Sequence, residues 1–375
     1  PSEIPNPKSE INLMNEIDEI FEQCTNVLPG HGRRQSLKEK LLTLADGLDG
    51  SEDADTYGRG DYIASFEAEI AGQFGKEAAV FLPSGTMAQQ IALRIWADRR
   101  HNHTVAMHPT AHPEFAEYLG YQALHHLQRI QFGAPEFVGS RMLTAQDFRD
   151  LGAEPGVVLL ELPYRPLGGQ LPSWEELTAI SEWAREKEVP LHMDGARIWQ
   201  CRPFYQKEFA EIAALFDSVY VSFYKDLGGL CGAMLLGSSS FIHEARLWQV
   251  RHGGRLFTQG PFVASARQGW QRVLPQMDQW VAKAQAVAAA FARFTQITVN
   301  PNPPQVNMFQ LYIQGEAQTL ADRHLELARE TGTFLFYGLR ETAVPHLAMT
   351  EIHCWENALS FDLTALETFI PALLS

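Results

Sequence analysis

Short apolar runs alternate with longer amphipathic stretches through the middle of the chain. The apolar runs cover residues 78–82, 157–160, 189–193, 218–223 and 232–236, and helical patterns at 87–99, 174–187 and 207–215 lie between them. Strands that alternate with helices in this way are typical of a mainly parallel sheet flanked by helices. The pattern therefore predicts an α/β fold.

The pattern also predicts three segments. Residues 1–50 form a helical arm, 51–260 a large α/β domain, and 261–375 a linking helix with a small C-terminal domain. The linking helix is expected to reach about residue 295. Strands at 297–299 and 308–313 and helices at 317–330 and 363–373 follow it, which indicates a smaller α+β domain.

Composition narrows the class of protein and its surroundings. With 375 residues, 45% apolar and 20% charged, the chain is typical of a globular protein with a large core. A net charge of −15 argues against a nucleic-acid partner, because phosphate binding needs a basic face. No apolar run approaches the roughly 20 residues that span a membrane. Residues 1–22 lack a secretion signal, and the four scattered cysteines suggest no disulfide framework. We therefore expect a cytoplasmic protein without a nucleic-acid or membrane partner.

An aspartate and a lysine stand at the ends of neighbouring apolar runs. Asp194 ends one run, and Lys225 follows the next, just before Gly228 and Gly229. Pyridoxal phosphate chemistry needs a lysine amine for the Schiff base and a carboxylate that keeps the ring nitrogen protonated. Alone, such an aspartate is usually a helix cap, and such a lysine is usually solvated. Their order along a strand–helix pattern favours the cofactor interpretation.

A candidate phosphate site lies earlier in the chain. Ser84, Gly85 and Thr86 open the helix after the run 78–82, where free amides and the helix dipole attract anions. Ser222 is a further candidate phosphate ligand. The alternatives are a simple N-cap at residue 84 and a core-facing serine at 222. Because ligands bind beyond the carboxyl ends of strands in such sheets, Ser84, Asp194 and Lys225 are expected to face one crevice.

These motifs resemble a known family. His-Met-Asp-Gly-Ala-Arg-Ile at 192–198, Pro-Ser-Gly-Thr-Met at 83–87 and the position of Lys225 are similar to the threonine aldolase and β-eliminating lyase family of fold-type I pyridoxal phosphate enzymes. The resemblance covers roughly residues 53–270. It implies a pyridoxal phosphate cofactor, an amino acid substrate and a homodimer or homotetramer.

The resemblance also assigns roles to individual residues. His112, with Glu117 five residues later, corresponds to the family's histidine that stacks on the cofactor near the substrate hydroxyl. Arg197 corresponds to a ligand of the substrate carboxylate, near the same face of a helical turn as Asp194; a structural salt bridge is its alternative. Lys225, His112 and Asp194 are the expected catalytic residues. The expected cofactor-binding residues are Ser84, Gly85, Thr86, His112, Asp194, Arg197, Ser222 and Lys225. No metal site is expected, although His101, His103, His108 and His112 lie close in sequence.

Several positions depart from the family pattern and leave the substrate open. Glu-Leu-Pro-Tyr-Arg at 161–165 replaces the family's Glu-Asn-Thr-His, so a second active-site histidine is lost, and Tyr164 and Arg165 are expected to contact substrate instead. Phe257 and, on a loose alignment, Glu356 replace family arginines. An arm with Arg33-Arg34 replaces the family's N-terminal segment. Arg165 or Arg34 is expected to compensate for the carboxylate-binding arginine that Glu356 replaces.

The resemblance predicts an aldolase that cleaves a β-hydroxy-α-amino acid to glycine and an aldehyde. Two alternatives stay open on the sequence. One is β-elimination or racemisation, which proceeds from the same bound state of the substrate. The other is a catalytically degenerate protein that still binds the cofactor.

Overall fold

The computed structural model describes residues 7–52, 54–133 and 138–375, with side chains from Met14 onward. The chain forms two compact units. One unit is Leu37–Gln276, and the other combines the N-terminal residues up to Ser36 with Met277–Ser375.

A mainly parallel sheet forms the centre of the larger unit. Its seven strands, among the described residues, lie in the order Ala78–Leu82, Ala233–Gly237, Ser218–Ser222, Leu191–Gly195, Val157–Glu161, Thr104–Met107 and Gln128–Ile130. Ala233–Gly237 is antiparallel to both of its neighbours, and the other pairs are parallel. The four strands from Ala233–Gly237 to Val157–Glu161 are buried along their whole length. Burial on both faces explains why they read as continuous apolar runs.

Helices cover this sheet, and their bounds match the predicted ones most closely where the amphipathic pattern is long. Helices among the described residues of the larger unit include Leu37–Asp46, Asp61–Gln73, Gly85–Arg100, His112–Phe115, Gly120–His125, Ala145–Arg149, Trp174–Glu186, Arg202–Tyr205, Phe209–Ala213, Ser239–Arg251 and Gly260–Val273. The last two strands of this order, Thr104–Met107 and the edge strand Gln128–Ile130, were not predicted because they are short and begin with polar residues.

The smaller unit has an antiparallel sheet of the strands Arg340–Glu341, Leu347–His353, Met308–Gln314 and Ile297–Asn300, in that order. Asn26–Val27 pairs separately with Thr333–Phe334. The helices are Pro7–Gln23, Met277–Phe291, Ala317–Thr331, Glu356–Ser360 and Leu366–Leu373. The predicted α/β fold with a smaller α+β part is confirmed.

The predicted linking helix is two helices rather than one. Gly260–Val273 belongs to the larger unit and Met277–Phe291 to the smaller one, with a short 3₁₀ turn at Leu274–Gln276 between them. Pro275 lies in this turn and cannot donate the backbone hydrogen bond that would continue the helix. Gly269 lies so close to Leu227 that a Cβ there would overlap the Leu227 carbonyl oxygen. The first of the two helices is therefore packed on the larger unit. The predicted domain boundaries remain a prediction.

In the residues that the structure describes, every helix is too short or too polar to cross a membrane.

Candidate active site

The carboxyl ends of two neighbouring strands bring Asp194 and Glu161 side by side. Asp194 lies within Leu191–Gly195, not after the strand as predicted, and it pairs in register with Glu161 of Val157–Glu161. Asp194 is 2% exposed and Glu161 is 7% exposed. The Asp194 Oδ1 accepts a hydrogen bond from the Ala196 backbone N–H at 3.0 Å. Two buried carboxyl groups therefore lie next to each other at the carboxyl ends of adjacent parallel strands.

Lys225 follows the next strand, Ser218–Ser222, in a tightly fixed turn. The Gly228 N–H donates to the Lys225 carbonyl at 3.2 Å, and the Gly229 N–H donates to the Phe223 carbonyl at 2.8 Å. Gly228 has φ +68°, a left-handed conformation that favours glycine. The Trp199 indole N–H donates to the Ser222 carbonyl at 2.8 Å. The glycines after Lys225 are thus required by the turn that holds it at the strand end.

The side chain of Lys225 lies in a strongly charged environment. Burial lowers the pKa of its ammonium group, and the Arg197 guanidinium lowers it further. The carboxyl groups of Asp194, Glu161 and Asp226 act in the opposite direction. The net shift is downward, so a larger fraction of Lys225 is the neutral amine, which is the form that attacks a carbonyl carbon.

Glu161 is the residue that the sequence prediction missed. Burial and, after it, the neighbouring Asp194 raise the pKa of its carboxyl group to about 8, against the opposing charges of Lys225 and Arg197. Its Oε1 accepts a hydrogen bond from the Arg165 N–H at 3.4 Å. Its Oε2 is buried and has no hydrogen-bond partner among the described residues. The sequence did contain a signal for this residue: Glu161 directly follows the apolar run 157–160, as Asp194 follows the run 189–193.

The predicted phosphate site contains both a helix cap and a closely packed glycine. The Ser84 Oγ accepts a hydrogen bond from the Met87 N–H at 3.3 Å and caps the helix Gly85–Arg100. Its hydroxyl hydrogen can still be donated to an anion, so the cap and the phosphate interpretations are compatible. The Gly85 backbone lies against the Tyr220 hydroxyl, and a Cβ would overlap that oxygen. Ser222 is buried beside Tyr220.

His112 forms a pair with Glu117. Its Nδ1 lies 2.9 Å from the Glu117 Oε1, and the Glu117 side chain is 1% exposed. A carboxylate only accepts hydrogen bonds, so Nδ1 carries a proton and the neutral ring presents its lone pair at Nε2. His112 remains 32% exposed. The described contacts fix the orientation of this ring but do not connect it to Lys225 or Asp194.

Arg197 is placed differently from the prediction. It immediately precedes the 3₁₀ turn Ile198–Gln200 with φ −131°, so it does not share a helical turn with Asp194. The reason is that Asp194 still belongs to the strand. Its Nε is buried without a hydrogen-bond partner in the described part of the chain, whereas its charge acts on both Lys225 and Glu161. The guanidinium therefore retains an unpaired donor at Nε.

Tyr164 and Arg165 begin the segment after Glu161. Tyr164 is fully buried, its ring centroid lies 4.9 Å from that of His108, and its hydroxyl has no partner among residues 14–52, 54–133 and 138–375. Burial and the Glu161 carboxyl group raise the pKa of the phenol well above its usual value. Tyr164 thus stays protonated and cannot act as the base that a histidine could be. Arg165 is half-buried at the start of the 3₁₀ turn Arg165–Leu167.

Two further predicted positions lie in the smaller unit and have partners there. Glu356 forms a short hydrogen bond with His31, and Arg34 forms an ion pair with Asp18. Over the described side chains, no three His, Cys, Asp or Glu residues are grouped so that they could hold a metal ion.

The chain matches a family model over most of this site. The model, described as "Beta-eliminating lyase", covers residues 50–314 and so includes every strand of the large sheet. The chain belongs to the beta-eliminating lyase family. The family resemblance is thereby confirmed.

Two relatives of this beta-eliminating lyase match most of its chain. Low-specificity L-threonine aldolase 1 of Arabidopsis thaliana is 25% identical over 335 residues, 82% of this chain and 89% of the relative. A solved structure from Listeria monocytogenes, provisionally described as an L-allo-threonine aldolase, is 37% identical with a TM-score of 0.89, and the match covers 96% of this chain and 99% of that one. The predicted fold-type I class is confirmed.

One further relative carries a different activity in its name. An alanine racemase of Cochliobolus carbonum is 30% identical over 210 residues, 55% of this chain and 53% of the relative.

We predict that Gly85→Ala disrupts the start of the helix Gly85–Arg100, because the added methyl group would overlap the Tyr220 hydroxyl. Overpacking of this kind costs about 1–3 kcal/mol, measurable by chemical denaturation. Gly72→Ala is the matched control: this helical glycine has open space around its Cβ position, and alanine should be neutral or slightly stabilising. Equal stability of the two variants would contradict the packing argument.

Proposed function

We propose that this protein is a pyridoxal phosphate-dependent aldolase that cleaves a threonine-like β-hydroxy-α-amino acid to glycine and an aldehyde. The observation that carries the proposal is the grouping of Lys225, Asp194 and Arg197 at the carboxyl edge of the parallel sheet. The aldolase relatives, which cover most of the chain, support the choice of reaction.

The residues at this edge fit the cofactor. Lys225 would hold the cofactor covalently, because its neutral amine, which burial favours, can condense with the aldehyde group and release water. Asp194 is a buried carboxylate suited to the protonated ring nitrogen. Ser84 and Thr86 at the helix start, with Ser222 and the backbone amides of the first turn around Gly85, would hold the phosphate.

Pyridoxal phosphate, when bound, supplies an electron-accepting ring that stabilises the charge left at Cα as the Cα–Cβ bond breaks. The protein must orient the substrate so that this bond is the one that breaks. Arg197 would bind the substrate carboxylate with its guanidinium, which can make two parallel hydrogen bonds. Its buried, unpartnered Nε is consistent with a ligand at this position.

The proton of the substrate hydroxyl needs a base. His112 would accept it at Nε2, directly or through one water, because Glu117 fixes the proton at Nδ1. Tyr164 cannot share this task, since its phenol stays protonated. Its buried hydroxyl would instead donate or accept a hydrogen bond with the substrate, and Arg165 would contact the substrate from the same segment.

One observation favours a second candidate. The relationship to an alanine racemase, although limited to about half of either chain, keeps racemisation open beside β-elimination. Both reactions would use Lys225, Asp194 and Arg197. They differ from aldol cleavage in their products, because neither one converts a β-hydroxy amino acid to glycine. A degenerate protein would bind the cofactor and turn over none of these substrates.

We also propose a cytoplasmic location and a homodimeric or homotetrameric assembly. The predicted cytoplasmic location and the homodimer or homotetramer come from composition and from the family resemblance. Large exposed side chains in the larger unit, among them Phe115, Tyr118 and Phe257, provide apolar surface that an assembly could cover.

We predict that Lys225 carries the cofactor. Protein loaded with pyridoxal phosphate and treated with borohydride should retain the label on the peptide that contains Lys225. Lys225→Ala should lose this labelling. Lys76→Ala is the control, because this lysine is half-buried like Lys225 but donates to the Phe216 carbonyl. Label on any peptide without Lys225 would contradict the assignment.

The proposed reaction is tested with threonine, allo-threonine and phenylserine. We expect glycine and the matching aldehyde from at least one of them, with His112→Phe lowering the rate by about 10²–10⁴-fold through loss of the base. Phenylalanine keeps a flat ring and so controls for stacking. Arg197→Lys should chiefly raise KM, because an ammonium cannot reproduce two parallel hydrogen bonds.

A different outcome would redirect the proposal. If these substrates gave no glycine while the protein exchanged the α-proton of alanine, racemisation would replace aldol cleavage. The assignment of Lys225 would not change.

A further inference from the structure

We propose that Glu161 is a positioning residue that holds a proton at neutral pH. Asp194 is then the charged carboxylate of the pair, and Lys225 is a reactive amine. The proposal rests on the proposed function only in so far as Lys225 and Asp194 are taken as the cofactor's partners. The geometry that carries it is the register pairing of two buried carboxyl groups on adjacent parallel strands.

Two carboxylates buried side by side repel each other, so one of them retains its proton. The hydrogen bonds decide which one. Asp194 accepts a hydrogen bond from the Ala196 N–H at 3.0 Å, which stabilises its charge. Glu161 accepts only a longer bond of 3.4 Å from the Arg165 N–H, and its other oxygen is buried without a partner in the described residues. The proton therefore belongs on Glu161.

The charged and titratable groups that act on Glu161 lie on several elements. Asp194 opposes its ionisation from the neighbouring strand, and Lys225 and Arg197 favour it from the loops beyond the strand ends. Tyr164 and Arg165 lie in its own segment, and Asp226 acts on Lys225. Burial outweighs the two cations, which is why the pKa of Glu161 is raised.

The proton on Glu161 has a consequence for Lys225. An ionised Glu161 would stabilise the Lys225 ammonium and so reduce the fraction of amine available to the cofactor. A neutral Glu161 removes this effect while leaving Asp194 to face the ring nitrogen. Of the two carboxyl groups, Asp194 is thus charged and Glu161 is neutral.

Thermal unfolding of the apoenzyme at different pH values tests the proposal without substrate. A carboxyl group whose pKa is higher in the folded than in the unfolded state stabilises the fold fully below the unfolded value near 4.3, and that stability is lost as pH rises toward the folded value. The Tm of wild type minus that of Glu161→Gln should therefore fall between about pH 5 and pH 8 and level off above. The fall should be absent for Glu67→Gln, because Glu67 is equally buried but ion-paired with Arg246 at 2.6 Å.

A second readout follows the reactivity of Lys225. The pH midpoint for pyridoxal phosphate capture by the apoenzyme should move down by roughly one unit in Glu161→Gln, because no carboxylate forms beside the amine as pH rises. A purely structural role for Glu161 would change stability without moving this midpoint.

The proposal is overturned if the Tm difference is independent of pH or rises with it, since Glu161 would then be ionised throughout. Should the variant fail to fold, infrared spectroscopy of the wild-type apoenzyme provides the same test. A protonated-carboxyl band present at about pH 6 and lost above pH 8 or so is expected, and its absence at both would refute the proposal. Because neither measurement uses an amino acid substrate, failure of the aldolase assignment would be seen separately in the glycine assay.

Discussion

The burial of opposite and like charges at the carboxyl ends of parallel strands is the constraint on which this site depends. Asp194 and Glu161 are buried, Lys225 and Arg197 are half-buried, and the charges of these groups act on one another. Burying ionised groups is costly unless they are paired or lose their charge. The fold meets this cost with a backbone donor to Asp194, a proton on Glu161 and a partly neutral Lys225. The same conditions produce a reactive amine.

The rest of the larger unit fixes the positions of these groups. The strands are buried on both faces, so their register cannot slip without exposing apolar side chains. Glycines at 85, 228 and 229 allow the backbone to approach Tyr220 and to turn sharply after Lys225. Glu117 orients His112 from within its own short segment. The chemistry thus resides in few side chains, and the packing around them provides their geometry.

The sequence predicted the central strands and the Asp194–Lys225 pair because both depend on local pattern. Buried parallel strands read as apolar runs, and the motifs around Asp194 and Lys225 are contiguous. The edge strand Gln128–Ile130 was missed because it is short and partly polar. Glu161 was missed for another reason: its significance comes from register with Asp194, a relation between residues 33 positions apart that periodicity does not encode. Glu356 and His31 likewise lie in distant segments, so no local sequence pattern predicts their contact.

The most direct test of the account is the turnover of Asp194→Asn. The amide fills the same space but carries no charge for the ring nitrogen, so the variant should still be labelled at Lys225 while turnover falls by about 100-fold or more. Asp217→Asn is the control, because Asp217 accepts from the Leu191 N–H at the opposite end of the same strand and keeps an acceptor oxygen. Near-normal turnover in Asp194→Asn would contradict the account and reduce Asp194 to a hydrogen-bond partner of Ala196.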